Sequence, residues 1–102
     1  MQNTKINESA KLASFVQGSL NENLSKRYDR INNKGVKQAP FYVLLGAQMP
    51  AVLVETGFIS NAYECKRLLN PEYQDHICSA IVNGIRQYIK DTNPAAILTS
   101  VP

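Results

Sequence analysis

The sequence has few of the groups from which redox, metal and membrane functions are built. Its 102 residues include two cysteines and one histidine. Cys65 and Cys78 have neither the CxxC spacing of redox or zinc motifs nor the density of a disulfide scaffold. Two reduced thiols on helices are expected, and a bridge between them stays open on sequence alone. His76 stands beside Asp75 on the polar side of a predicted helix and has no companion ligands, so no metal site is predicted within this chain. No stretch approaches the ~20 apolar residues of a membrane span. Residues Met1 to Glu8 lack the apolar core of a signal peptide, so no address is expected in the chain itself. The charge excess is small, 11 Lys and Arg against 8 Asp and Glu. Its densest cluster, Lys26-Arg27-Tyr28-Asp29-Arg30, is interrupted by an acid and reads as a solvated helix end, so no nucleic-acid partner is predicted.

What is present suits one small domain, able to bury roughly 60–65% of the surface that its unfolded chain exposes. From Glu8 to about Tyr28, Leu12, Phe15, Val16, Leu20 and Leu24 recur at three- and four-residue intervals, the pattern of an amphipathic helix. Asn32-Asn33-Lys34-Gly35 supplies a stop and a turn. Phe41–Leu45 and Ala51–Val54 read as strands. Only five residues link them, which favours an antiparallel or offset pair because a parallel crossover needs a dozen or more. Asn61 and Glu64 have capping-box spacing and open a short helix through Leu68-Leu69. Asn70-Pro71-Glu72 opens a longer one, with cap, N1 proline and first-turn acid in order. Its face comprises Tyr73, Ile77, Ala80, Ile81, Gly84, Ile85, Tyr88 and Ile89, and Gly84 marks a close approach to another element. The domain is expected to span 1–91, with 92–102 as a tail.

One carboxylate stands out. In Pro50-Ala51-Val52-Leu53-Val54-Glu55-Thr56-Gly57, Glu55 follows a short apolar run. Ligands of open α/β sheets sit in the crevice at the carboxyl ends of strands. A buried Glu at a strand exit is costly unless paired. A Glu in that position can equally cap the following turn or pair with a lysine.

Lys34-Gly35-Val36-Lys37-Gln38-Ala39-Pro40-Phe41-Tyr42-Val43-Leu44 and Met49-Pro50-Ala51-Val52-Leu53-Val54-Glu55-Thr56-Gly57-Phe58-Ile59-Ser60-Asn61 together resemble the C-terminal half of zinc-dependent N-acetylmuramoyl-L-alanine amidases, the type 3 cell-wall hydrolases and autolysins. Weaker similarity runs from about Glu8 to Ile89. The resemblance implies an α/β fold, a mixed sheet flanked by helices, present here only as the C-terminal part of the domain. It implies hydrolysis of the amide between the lactyl group of N-acetylmuramic acid and L-alanine in peptidoglycan, in the periplasm or outside the cell. It also implies a zinc ion held by two His and a Glu, with Glu55 matching the family's general base in E-x-G-F-x-S-N. The ligands lie N-terminal to this region in the family, and nothing in the chain replaces them, so the chain alone is expected to be inactive. Thr56 and Gly57 read as the turn that aims Glu55, Phe58 and Ile59 as packing, and Asn61 as a helix cap.

The family commonly has Arg where this chain has Lys34, and an ammonium does not reproduce a planar guanidinium fork. Lys34 and Lys37 are read as solvated loop cations with no substrate role. The rival reading is a non-catalytic remnant that binds cell wall or pairs with another chain, or with itself, through an unpaired sheet edge.

Overall fold

The computed structural model describes residues 2–37, 44, 46–93 and 95. Among the described residues there are three helices: α1 (Gln2–Ser25), α2 (Ala62–Leu68) and α3 (Pro71–Thr92). Both caps read from the sequence form. The Asn61 side chain accepts the Glu64 N–H at 3.0 Å. The Asn70 side chain accepts the N–H groups of Glu72 at 2.8 Å and Tyr73 at 3.3 Å, with Pro71 in the first turn. These bonds satisfy donors that a helix start otherwise leaves unpaired. α1 begins six residues before its apolar pattern and stops at Ser25, and the backbone N–H groups of Arg27 and Tyr28 close its end on Leu24.

α1 and α3 run antiparallel and enclose the core. Val16, Leu20 and Leu24 of α1 are buried against Tyr73, Ile77 and Ala80 of α3. Pairing of Leu24 with the start of α3 and of Glu8 with its end fixes the direction, since the Tyr88 hydroxyl donates to Glu8 at 2.7 Å. Lys11 and Asp91 meet at 3.3 Å at the same end, and Phe15 packs edge-on to Tyr88. Ser19, the one buried polar side chain among the described residues, donates its hydroxyl to the Ala80 carbonyl at 2.6 Å. At Gly84 the two helix backbones approach closely. A Cβ built there would lie 2.6 Å from Val16 Cα and 2.9 Å from the Phe15 carbonyl oxygen.

The expected mixed α/β sheet is not what the structure shows. Among the described residues there is no strand, and the layer is helical. Phe41–Leu45 lies outside the described residues apart from Leu44. Ala51–Val54 is described and has no ladder. A strand exists only when a neighbour takes its backbone groups, and no partner strand is present among the described residues. The segment nevertheless keeps the alternation of a strand. Val52 and Val54 are half-buried and Val54 packs on the helical core, whereas Leu53 and Glu55 are exposed. The cysteines are both free, Cys65 half-buried and Cys78 exposed. The proposed tail overlaps α3 at Thr92, and residues 96–102 lie outside the described residues.

Two glycines in the helices should respond oppositely to alanine. Gly84→Ala forces a methyl group into the Val16 backbone and should cost about 1–3 kcal/mol. Gly18 is exposed with nothing within 4 Å of a new Cβ, so Gly18→Ala should add about 0.5–1 kcal/mol through helix propensity. Urea unfolding followed by far-UV circular dichroism measures both.

Candidate functional site

The Glu55 segment is held to the helices by local polar bonds and one apolar side chain. The Lys5 ammonium donates to the Ala47 carbonyl, and the Ala51 N–H donates to Ser9 Oγ at 3.0 Å. Val54 then packs, half-buried, against the core. Beyond Glu55 the chain turns: the Asn61 N–H donates to the Phe58 carbonyl at 3.1 Å, and Asn61 starts α2. Gly57 is required at this corner. Its φ is +158°, and a Cβ would stand 3.2 Å from Leu68 Cδ1.

Glu55 itself faces solvent, and among the described residues no hydrogen-bond or ion-pair partner reaches it. The carboxylate is available to accept a proton, but no described donor surrounds it. Exposed apolar side chains flank it within a few residues: Leu53 at 45%, Phe58 at 53% and Ile59 at 82%, with Met49 at 69% at the start of the segment. Phe58 and Ile59 are therefore not the packing residues that the motif implied. Lys34, expected to be merely solvated, rests its ammonium 5.1 Å from the Phe58 ring centroid, within cation–π range.

A second cluster fixes α2, and hence the loop, to the helical pair. Arg67 has its guanidinium 4.6 Å from the Tyr63 centroid, 5.4 Å from Tyr73 and 5.5 Å from Tyr28. It donates to Asp29 at 3.2 Å and to the Tyr63 hydroxyl oxygen at 2.5 Å, while Tyr63 donates to the same Asp29 oxygen at 2.9 Å. Arg30, at the left-handed φ of +55°, also lays its guanidinium over the Tyr63 ring, 4.7 Å from its centroid. Tyr28 packs edge-on to Tyr73 at 4.8 Å. The basic stretch at the end of α1 is thus partly a latch, not simply a solvated helix end. Pattern reading missed it because Asp29 and Arg67 are 38 residues apart. The hydrogen bond from Tyr63, aided by Arg30 and Arg67, holds the Asp29 carboxyl below its ordinary value, and burial pushes the Tyr28 hydroxyl up.

The chain's groups do not fit a zinc ion. No group of three or more His, Cys, Asp or Glu with metal-binding geometry exists among the described residues. His76 is spent on packing, 5.8 Å from the Tyr28 ring and 3.7 Å from Glu72. A depression of about 360 Å3 between α1 and α3 is an open polar trough lined by Ser19, Glu22, Asn83, Arg86 and Lys90 among others. It contains no residue of the Glu55 loop. No helix among the described residues is long and apolar enough to cross a membrane.

Two measurements follow from this geometry. Because Asp29 is depressed in the folded state, its contribution to stability is complete above the unfolded value near 3.8 and is lost as pH falls through the folded value. Asp29→Asn should therefore flatten the pH dependence of urea unfolding below about pH 4. A catalytic zinc needs three protein ligands, so dialysis of the purified chain followed by metal analysis should recover far less than one zinc per chain.

Comparison with known proteins places the sequence in a family. Residues 1–87 match the family model described as N-acetylmuramoyl-L-alanine amidase. The chain is 44% identical over 80 residues to Bacillus subtilis uncharacterized protein YqiI, covering 78% of this chain and 36% of that protein. It is 40% identical over 82 residues to the B. subtilis N-acetylmuramoyl-L-alanine amidase LytC, 80% of this chain and 16% of LytC. With the Escherichia coli amidase AmiC it shares 32% over 91 residues, 89% of this chain and 21% of AmiC. The chain thus spans 16% to 36% of the length of these three relatives. No solved structure matches it. With the family model covering residues 1–87 of 102, the chain belongs to the N-acetylmuramoyl-L-alanine amidase family, type 3.

Proposed function

We propose that residues 1–91 are the C-terminal part of a peptidoglycan amidase domain and that Glu55 is its general base. The substrate is the amide joining the lactyl group of N-acetylmuramic acid to L-alanine, which puts the site of action outside the cell or in the periplasm. The observation that carries this reading is the placement of Glu55. The capped start of α2, the Gly57 corner and the half-buried Val54 together hold its carboxylate outward on an anchored loop.

A carboxylate so placed accepts a proton from the water that attacks the amide carbon and delivers it to the amide nitrogen. The C–N bond then breaks, leaving a muramoyl carboxylic acid and a free L-alanine amine. Such proton transfer contributes ~10²–10⁴-fold to rate. The described residues do not fit the family's zinc. The chain alone is expected not to hydrolyse peptidoglycan. A non-catalytic remnant that only binds cell wall is the competing reading, favoured by the absence of a ligand cluster among the described residues.

A covalent chimera decides between them. Residues 1–91 replace the matching region of LytC, and release of soluble fragments from B. subtilis cell wall is measured. The chimera should hydrolyse cell wall, and Glu55→Gln in it should lower kcat by at least about a hundredfold, with zinc content and Tm unchanged. Glu72→Gln, at a helix start, should leave kcat near the parent value. An inactive but folded, zinc-loaded chimera, or an active Glu55→Gln variant, would contradict the proposal.

A further inference from the structure

We propose that the polar trough between α1 and α3 is a binding site for a sugar that carries a carboxylate, and that its ligand is the muramoyl acid left when the amide is cut. The identity of the ligand, though not the site, rests on the reaction proposed above. No residue of the Glu55 loop lines the trough, so this is a second site on the chain.

The floor of the trough is a buried hydrogen-bonded chain that joins the two helices. Ser19, only 4% exposed, donates to the Ala80 carbonyl at 2.6 Å and accepts from the Asn23 amide at 3.3 Å. Asn23 also donates to the Ser19 carbonyl at 2.7 Å. These bonds fix Asn23 before any ligand arrives and use its N–H groups, so its side-chain oxygen is the atom left to accept from a ligand.

The α3 wall supplies charge. Asn83, Arg86, Gln87 and Lys90 all line the trough, and spacings of three and four residues put them on one helix face. Among the described residues the ion pairs are made by Lys11, Lys26, Arg67 and His76, so neither Arg86 nor Lys90 is neutralised there. Glu22, the acid on the α1 side, is paired with Lys26 at 3.3 Å. Two uncompensated cations one helical turn apart call for an anion.

The rest of the lining selects which anion. A guanidinium fork matches a carboxylate with two parallel hydrogen bonds. Glu22, Asn23, Asn83 and Gln87 around it can accept from hydroxyl and amide N–H groups, which an N-acetylated sugar offers. A polyphosphate offers no donors for these acceptors, and its repeated charge would be repelled by Glu22. Single-stranded nucleic acid is served by rings on which bases stack, and no aromatic residue lines the trough. The volume of about 360 Å3 lies within the range of small-molecule sites. A second depression of about 260 Å3 shares Asn83 and Arg86 and adds Ser79, so the cleft continues along α3 and leaves room for the next sugar of a chain.

The test is titration of the isotopically labelled 102-residue chain with N-acetylmuramic acid, followed by the backbone amide resonances of Asn83, Arg86 and Gln87. Saturable shifts at these residues are expected. N-acetylglucosamine, which lacks the lactyl acid, and the methyl ester of N-acetylmuramic acid, which lacks only its charge, should each bind at least about tenfold more weakly. Arg86→Ala should weaken N-acetylmuramic acid by a similar factor, and Arg86→Lys, which keeps the charge but not the fork, should restore only part of the loss. Arg86 is exposed, so far-UV circular dichroism should not change. Lys66→Ala, at an exposed cation of α2 outside the trough, should bind like the parent. Absence of shifts, equal binding of the methyl ester, inorganic phosphate binding as tightly as the sugar acid, or indifference to Arg86→Ala would each overturn the proposal. The ligand series uses the parent chain, so the result does not hang on how a variant folds. Glu55→Gln should bind normally. An inactive chimera with this binding intact would therefore fail the catalytic reading alone, and an active chimera without it would fail this inference alone.

Discussion

The contact of the α3 backbone at Gly84 with the α1 backbone at Val16 sets the geometry from which the other features descend. With no sheet among the described residues, the buried apolar core is formed by one antiparallel helix pair, Val16, Leu20 and Leu24 against Tyr73, Ile77 and Ala80. A helix pair can slide unless something specifies its register. Here the missing Cβ at Gly84 permits one close crossing, and the Ser19–Ala80 hydrogen bond satisfies a buried hydroxyl only in that register. The same register puts Lys5 and Ser9 where they hold Ala47 and Ala51. Val54 reaches the core as a result, and Glu55 is turned outward.

α2 depends on the pair in a different way. It has no buried residue of its own, and seven residues are too few for a helix to persist without packing. Leu68 against the core and the Arg67 guanidinium among Tyr28, Tyr63 and Tyr73 hold it in place. Arg67 suits that position because its flat, weakly hydrated head can contact several rings and still donate to Asp29. The Glu55 loop is consequently tied at both ends, at Ser9 before it and at the α2 cap after it.

What the sequence revealed was local. The Asn61 and Asn70 caps, the N1 proline and the α3 face are each specified within a few residues, and they form as read. Gly84 was legible as a close approach because a glycine within a long apolar helical face has little other use. The strand at Ala51–Val54 was not a local property: apolar composition and alternation fix which side chains point inward, but a ladder requires a partner. Alternation survived and the ladder did not. The Arg67 latch joins residues from distant parts of the chain, so its basic members looked like ordinary surface charge. Glu55 was singled out by the motif around it, while its exposed setting could be learned only from the fold.

Ala51–Val54 has no strand pairing among the described residues and is carried by a helical pair. Amide hydrogen exchange on the isolated chain tests that claim most directly. The amides of Val52, Leu53 and Val54 should exchange at least on the order of a hundredfold faster than those of Val16, Leu20, Ile77 and Ala80. Protection of Val52–Val54 equal to that of the α1 and α3 core would mean that the segment is already paired in a sheet, and would contradict the account.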